Sequence, residues 1–246
     1  MNIAIIGNGK MGAEVERVAL AQGITVKKVF TEENNRGGRG LTAESLRGID
    51  VCVEFTLPGS AVKNIEAVAK AGKPIVVGTT GWYDSLDAVR KIVAARKTGL
   101  VYSPNFSVGV NLLGHILKEA ARLIDRYEMY DVAIREIHHR AKADCPSGTA
   151  LQLGEILLAH IRRKKSLLAG NAPGAIKPGQ LHISSERVGH AFGEHSVLFD
   201  SEADSLEFIH RAKNRSGFAH GALIAATWLR KRKGVYTMEE IGRAHV

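Results

Sequence analysis

The sequence predicts an α/β fold: a doubly wound parallel sheet, plus a central α+β domain whose sheet is mixed or antiparallel. Three observations carry this expectation. Up to Phe106, short β-rich runs alternate with amphipathic stretches. Beyond it, strand-like runs follow one another with no helix between them. A last amphipathic stretch then opens at Gly217, and the pattern alone does not decide whether it returns to the first domain.

Each element has a local reason. Ile3 to Ile6 is a short buried strand, and from Met11 to Gln22 apolar residues recur at helical spacing (Val15, Val18, Ala19) until Gly23 stops the helix. Thr25 to Phe30 is a second strand, followed by a Gly- and Arg-rich loop from Asn34 to Gly40. Asp50 to Phe55 is a third. Pro58 then opens a helix to Ala71, where a missing N–H is harmless, and Gly72 ends it. Pro74 to Val77 is a fourth strand, Asp84 to Lys97 a helix and Leu100 to Ser103 a fifth strand. In such a sheet, ligands bind outside the carboxyl ends of the strands. In the central part, Gly109 to Asp125 reads as a helix, Tyr130 to His138 as an alternating strand and Gly148 to Arg163 as a helix. Ala169 to Gly179 reads as a loop. Leu181 to Val188, His195 to Asp200 and Ser205 to Ala212 read as strands, and Gly217 to Arg232 as the final helix.

Composition narrows the function classes. With 246 residues, 45% of them apolar and 24% charged, the chain is an ordinary globular protein, not a disordered, collagenous or disulfide-scaffolded one. Two cysteines, Cys52 and Cys145, fit a reducing compartment, so a cytoplasmic location is expected. No apolar run approaches the roughly 20 residues of a membrane helix, and the strand at Asn2 to Ile6 leaves no place for a signal peptide before the fold. The net charge of +9 suits either nucleic acid or an anionic cofactor and substrate. Its two runs, Arg162 to Lys165 and Arg230 to Lys233, close amphipathic stretches and read as solvated helix ends complementing the helix dipole. No aromatics are interleaved to stack bases, so no nucleic-acid partner is expected.

Three motifs carry chemistry. Gly7-Asn8-Gly9-Lys10-Met11-Gly12 has the G-x-G-x-x-G spacing between a strand and a helix, where glycines let the backbone approach a pyrophosphate and the helix end offers free N–H groups. This is the fingerprint of a Rossmann-type dinucleotide site; the plainer reading is a packing turn. At the ribose end, Thr31 stands nearest the place of the usual acid and Glu32 follows it. Lys27, Lys28, Arg36 and Arg39 lie near enough to take a 2′-phosphate instead, so NADH and NADPH both remain open. Gly78-Thr79-Thr80-Gly81, at the end of the fourth strand, leaves room for a flat ring and ribose, or is a plain strand-to-helix turn.

The third motif, Glu136 to Ala150, runs from a strand end through a polar loop into a helix. His138, His139, Arg140 and Lys142 concentrate donors and positive charge, and Ser147 reads as the N-cap of the helix. Basic side chains beside a helix N-terminus form a carboxylate receptor, and a histidine and lysine this close are able to move protons. The alternative is a basic surface loop with a capped helix. Adjacent histidines lack a usual zinc spacing, so no metal is expected. Nothing in the sequence demands a covalent step, so no nucleophilic role is expected of Cys145; Cys52 reads as core and Trp82 as core or interface.

These residues resemble the 4-hydroxy-tetrahydrodipicolinate reductase (dihydrodipicolinate reductase) family of lysine and diaminopimelate biosynthesis. The likeness runs nearly end to end: Gly7 to Gly12, Gly78 to Gly81, Ser103-Pro104-Asn105-Phe106-Ser107-Val108-Gly109-Val110-Asn111, Glu136 to Ala150, Gly193-Glu194-His195 and His210-Arg211-Ala212. The resemblance implies an oxidoreductase that uses NADH or NADPH on a small dicarboxylate. It implies His138 and Lys142 as proton-transferring residues, and His139, Gly148 and Thr149 on the substrate carboxylates. Cofactor contacts fall to Gly7, Asn8, Gly9, Lys10, Met11, Gly12, Thr31, Glu32, Gly78, Thr79, Thr80, Ser103, Pro104, Asn105 and Phe106. It further implies a dinucleotide-binding domain over 1–106 and 217–246, a substrate-binding and oligomerisation domain over 107–216, and a homotetramer. Two departures stand out: Thr31 replaces the expected acid, and Cys145 stands where the family more often has alanine. The rival readings are a related amino-acid dehydrogenase, which would lack the His138 to Thr149 segment, and a dinucleotide sensor, which would lack the His–Lys pair.

Overall fold

A computed structural model describes residues 1–172 and 174–243; Pro173 of the expected glycine-rich loop and the last expected first-domain residues, 244–246, lie outside the described residues. The chain forms two compact units, Met1–Val108 with the segment from Arg215 onward, and Gly109–Asn214.

The first unit holds a parallel sheet of β1 (Asn2–Ile6), β2 (Thr25–Phe30), β3 (Val51–Glu54), β4 (Ile75–Val77), β5 (Gly99–Tyr102) and β11 (Gly234–Tyr236), in the order β11-β5-β4-β3-β1-β2. Strand alternation sends Ile3, Ile5, Val51, Val53, Val76 and Val101 to one face. There they meet α1 (Lys10–Ala21), α6 (Ser216–Leu229) and α7 (Met238–Arg243). Ala4, Ile6, Cys52, Ile75, Val77 and Leu100 go to the other face, under α2 (Pro58–Lys70) and α3 (Leu86–Arg96). A sheet covered on both faces needs near-continuous apolar strands, and β1, β3 and β4 have them. The final helix packs in the first unit: a Cβ on Gly221 would lie 1.7 Å from the Phe106 carbonyl oxygen, so glycine permits that close approach. Strand order reverses between β1 and β3, the switch point at which such sheets bind ligands.

The second unit is built from α4 (Val108–Ile124), β6 (Asp131–His138), α5 (Gly148–His160), β7 (Ser166–Ala169), β8 (Gln180–Arg187), β9 (Glu194–Asp200) and β10 (Ser205–Arg211), with sheet order β10-β9-β6-β8-β7. The β6–β8 and β7–β8 pairs are parallel and the β6–β9 and β9–β10 pairs antiparallel, so the sheet is mixed. Both helices pack on one face, on Val132, Ile134, Leu181, Ile183, Val197 and Phe199.

The structure corrects several expectations. The Arg162 to Lys165 run lies beyond the helix, and only Arg162 and Lys165 of it are exposed. The α5 helix stops at His160 because Ile161 turns extended (φ −110°, ψ 97°) and is buried. Arg162 then pairs with Asp125 at 2.7 Å, and the buried Lys164 ammonium donates to the Pro178 and Gln180 carbonyls at 2.9 and 2.7 Å. The short β7 and β11 and the C-terminal α7 are additions to the expected elements; strands of three or four residues show no measurable period. The expected helix from Asp84 starts as a 3₁₀ turn, Tyr83–Ser85, and becomes α-helical only at Leu86. No helix among the described residues is long and apolar enough to cross a membrane.

Candidate active site

The first unit gathers most of the expected cofactor residues at the strand ends. One hollow of about 540 Å³ is lined by Asn8, Thr31, Glu32, Glu33 and Arg36. A neighbouring one of about 280 Å³ includes Gly7, Gly9 and Phe30, and a third of about 320 Å³ includes Lys10, Met11, Gly78, Thr79 and Thr80. The glycines of the fingerprint divide the labour. Gly7 sits at φ +103°, and a Cβ there would come within 2.1 Å of the Phe55 carbonyl oxygen. A Cβ on Gly12 would lie 1.9 Å from the Gly7 carbonyl oxygen, so Gly12 lets α1 seat against the turn. Gly9, by contrast, faces open space. It is the N-cap of α1 and makes no side-chain cap, so the first-turn N–H groups have no intrahelical partner. A backbone cradle that a side chain would fill, beside those N–H groups, fits a pyrophosphate.

Other expected cofactor residues do structural duty. Gly78 makes room for the Phe55 ring, which a Cβ would meet at 1.9 Å. The Thr79 hydroxyl accepts from the Thr56 N–H at 2.7 Å and its carbonyl accepts from Trp82 Nε1 at 2.8 Å, tying the ends of β3 and β4 together. Ser103 to Phe106 form a turn after β5, with Ser103 Oγ donating to the Asn105 carbonyl at 2.8 Å; Phe106 is buried in the core. Pro104 is the exposed member of that turn.

Beneath these loops lies a group that sequence reading did not single out. Glu54, at the end of β3, is fully buried and accepts from the Thr56 N–H (3.1 Å) and hydroxyl, with Asn64 Nδ2 at 3.5 Å. Burial pushes its carboxyl above the usual carboxylate range, against the pull of the hydrogen bonds from Thr56, Thr79 and Asn64. The folded chain therefore keeps this proton to higher pH than the unfolded chain does. The associated stability is full below the ordinary value of about 4.3 and is lost as pH rises through the raised one. Glu54→Gln, which mimics the protonated acid, is expected to match the wild-type melting temperature near about pH 4 and to exceed it at about pH 8. Equal melting curves at both pH values would contradict this.

In the second unit the third motif folds into a buried polar cluster. Period-two alternation along β6 turns Val132 and Ile134 into the core and brings Glu136 and His138 onto the same face, one step nearer the strand end. Sheet register supplies the rest: His195 lies opposite Glu136 on β9, and Arg187 opposite His138 on β8. Glu136 is fully buried. Its oxygens accept from the Ser147 N–H at 3.0 and 3.1 Å and from Arg187 Nη2 at 3.1 Å; His138 Nδ1 is 3.3 Å away and His195 Nε2 3.7 Å. Burial alone would raise this carboxyl, but hydrogen bonds from His138 and Ser147 outweigh it and hold Glu136 well below the usual carboxylate range. Burial, with His138 beside it, pushes His195 down to about 4, so at neutral pH its ring is uncharged and shares a hydrogen bond with Ser147 Oγ at 3.0 Å.

Ser147 caps α5 as expected, accepting from the Ala150 N–H at 3.2 Å. Gly148, the first residue of α5, has open space where a side chain would be. Lys142 reaches Asp144 at 2.7 Å, and Asp144 also accepts from the Gly148 N–H at 3.4 Å. A carboxylate of the protein thus already sits against the lysine and the helix N-terminus. His139, the first residue past β6, is half-buried next to buried His138, and Thr149 follows Gly148 in the first turn of α5. Glu136, His138 and His195 offer possible ligand atoms within 4.8 Å of one another. The Glu136 oxygens are already taken by Ser147 and Arg187, and the guanidinium charge opposes a cation there. Glu136, Arg187 and His195 had no assigned role in the sequence reading, since only the register of β8 and β9 on β6 brings them together.

Comparison with known proteins follows the same division of the chain. The family described as "Dihydrodipicolinate reductase, N-terminus" matches residues 1–106, and "Dihydrodipicolinate reductase, C-terminus" matches 109–241. A 4-hydroxy-tetrahydrodipicolinate reductase of Christiangramia forsetii is 35% identical over 241 residues, 98% of this chain and 97% of its own. One from Anaeromyxobacter dehalogenans is 42% identical over 205 residues, 81% of this chain and 74% of its own. Among solved structures, a dipicolinate-bound dihydrodipicolinate reductase from Paenisporosarcina sp. TG-14 shares the fold, with TM-score 0.73 at 24% identity over 98% of this chain and 99% of that one. An amine dehydrogenase from Mycobacterium smegmatis shares it more distantly, with TM-score 0.63 at 13% identity over 96% and 94%. With both halves matched and relatives alike across almost the whole length, the chain belongs to the dihydrodipicolinate reductase family.

Proposed function

We propose that the chain reduces 4-hydroxy-tetrahydrodipicolinate to tetrahydrodipicolinate, with loss of water and at the expense of NADH or NADPH, in lysine and diaminopimelate biosynthesis. The observation that carries this reading is the Glu136 to Thr149 segment. It joins two proton-transferring side chains, His138 and Lys142, to a helix N-terminus that already holds a carboxylate. The family membership supports the same reading.

The first unit is the dinucleotide-binding domain. Gly7, Gly9 and the first-turn N–H groups of Lys10, Met11 and Gly12 hold the pyrophosphate, and Asn8 borders the same hollow. Gly78 to Thr80 and Ser103 to Phe106 shape the nicotinamide end. When bound, the reduced nicotinamide supplies a hydride. The remaining balance is one proton taken up and one water released. At the ribose end Thr31 offers a hydroxyl, Glu32 a carboxylate and Arg36 a cation around one hollow, a mixture that favours acceptance of both nucleotides.

The second unit binds the substrate. His139, Gly148 and Thr149 hold its carboxylates, replacing Asp144 at the helix end, and His138 or Lys142 delivers the proton. Orientation and charge neutralisation supply most of the rate. The sheet face turned away from α4 and α5 carries Ala133, Ile137, Leu198 and Ile209, the last two exposed. That surface supports packing against further copies, as a homotetramer. A cytoplasmic location accords with the two free cysteines.

The experiment is oxidation of NADH and NADPH, run side by side, with substrate made in situ by a synthase from pyruvate and aspartate semialdehyde. Oxidation of both nucleotides, dependent on substrate, is expected. Tight binding of both with no oxidation would move the reading to another substrate or to a sensor.

A further inference from the structure

The buried carboxylate of Glu136 touches no solvent and belongs to none of the binding or proton-transferring residues proposed above, yet it contacts the groups on which they depend. We infer that Glu136 is a positioning residue: it places the His138 proton on Nδ1, so that Nε2 is the nitrogen that exchanges protons, and it anchors the carboxylate receptor through the Ser147 N–H. The inference rests on the role proposed for His138.

The geometry leaves the carboxylate few alternatives. Oε1 takes Arg187 Nη2 at 3.1 Å and the Ser147 N–H at 3.0 Å. Oε2 takes the same N–H at 3.1 Å and faces His138 Nδ1 at 3.3 Å and His195 Nε2 at 3.7 Å. His138 Nδ1 is buried and makes no hydrogen bond of good geometry, so its contact with Oε2 at 3.3 Å is a charge pairing. An anion at that distance favours Nδ1–H over a bare lone pair, because two lone pairs facing each other in a desolvated site repel. Around the pair stand Ser185 and Arg187 from β8, His195 from β9 and Ser147 at the start of α5, with His210 of β10 and Lys142 of the loop after β6 acting on His195. Arg187 supplies the compensating charge that lets Glu136 stay ionised while buried; it also donates to the Asp144 carbonyl at 2.6 Å, which fixes the loop carrying Lys142.

The far side of the imidazole is kept clear by glycine. Gly193, at φ +147°, would place a Cβ 3.0 Å from His138 Nε2, so any side chain there would crowd the nitrogen that must meet substrate. A carboxylate behind the ring and a glycine before it orient one histidine for one proton path. A carboxylate that holds a histidine tautomer in this way is worth several orders of magnitude in other enzymes when its charge is removed but its shape kept.

Glu136→Gln makes the test specific. The amide oxygen must serve Arg187 and Ser147, which are both donors, and the amide NH₂ is then left facing His138 Nδ1. A donor there forces the ring proton to Nε2. Histidine-selective ¹⁵N spectroscopy of the ligand-free protein, with the His138 signals assigned by their loss in His138→Asn, reads the tautomer directly. We expect Nδ1–H in the wild type and Nε2–H in Glu136→Gln. Turnover should fall about 10²-fold or more, with the KM for the reduced nicotinamide changed less than about twofold. A purely structural role would lower stability without switching the tautomer. Nε2–H in the wild-type protein overturns the inference even if the variant fails to fold, and so does an unswitched tautomer in a folded variant. Since the spectrum needs no substrate, an Nδ1–H wild type without turnover would defeat the proposed reaction and leave the role of Glu136 standing.

Discussion

Lys142→Ala is expected to lower turnover by about 10²–10⁴-fold, the usual worth of a positioned acid or base, while reduced nicotinamide binds as before. The side chain is held at 2.7 Å from Asp144, in a loop fixed by the Lys142 N–H to the His139 carbonyl (3.1 Å) and by the Arg140 N–H to the Gly189 carbonyl (3.3 Å). Removing it leaves Asp144 without its cation at the helix end, so the receptor loses charge neutralisation as well as a proton source. Both losses fall on the transition state, where charge develops, more than on the bound substrate. Steady-state kinetics with substrate generated in situ, alongside fluorescence titration of NADH, separates the two expectations. Near-normal turnover would remove Lys142 from the mechanism.

The second large effect distinguishes two glycines of one motif. Gly12→Ala forces a Cβ to within 1.9 Å of the Gly7 carbonyl oxygen, which is backbone and has nowhere to go. Overpacking of this kind costs about 1–3 kcal/mol or more, so the variant should melt several degrees lower, at about 2–4 °C per kcal/mol for a chain of this size, and bind NADH poorly. Gly9→Ala meets no atom within 4 Å. It should melt with the wild type and still lose most of its NADH affinity, because the new methyl group occupies the space proposed for the pyrophosphate. Calorimetric melting and NADH titration of both variants check the pair. Gly9→Ala with undiminished affinity would mean that the glycine loop only packs helix on strand.

The parallel sheet was legible because its signals are local. A strand such as Ile3–Ile6 is apolar throughout, and the helix that follows keeps its period until Gly23. Pro58 and Gly72 bracket α2 for stereochemical reasons that need no tertiary context. The candidate site was legible where chemistry is concentrated in one segment, from His138 to Thr149. What stayed hidden depends on register. Nothing near Glu136 in sequence announces that His195 and Arg187 will lie beside it; the pairing of β9 and β8 with β6 decides that. Glu54 was hidden because a single acid at the end of an apolar strand looks like the start of a loop, whereas here Thr56, Thr79 and Asn64 close over it. The basic run after α5 misled for the same reason. Its charges look solvated in isolation, and only Asp131 with the Pro178 and Gln180 carbonyls explains why Lys164 is buried.

The most direct test of the proposed reaction is transfer of label. With NADH carrying deuterium on C4 of the nicotinamide, on either face in separate runs, and substrate made in situ, the account predicts that one of the two cofactors yields tetrahydrodipicolinate heavier by one deuterium. Conversion of Lys142→Ala should show the same label at a far lower rate. Nicotinamide oxidised without label in the product, or product formed with neither labelled cofactor consumed, would contradict hydride transfer by this protein.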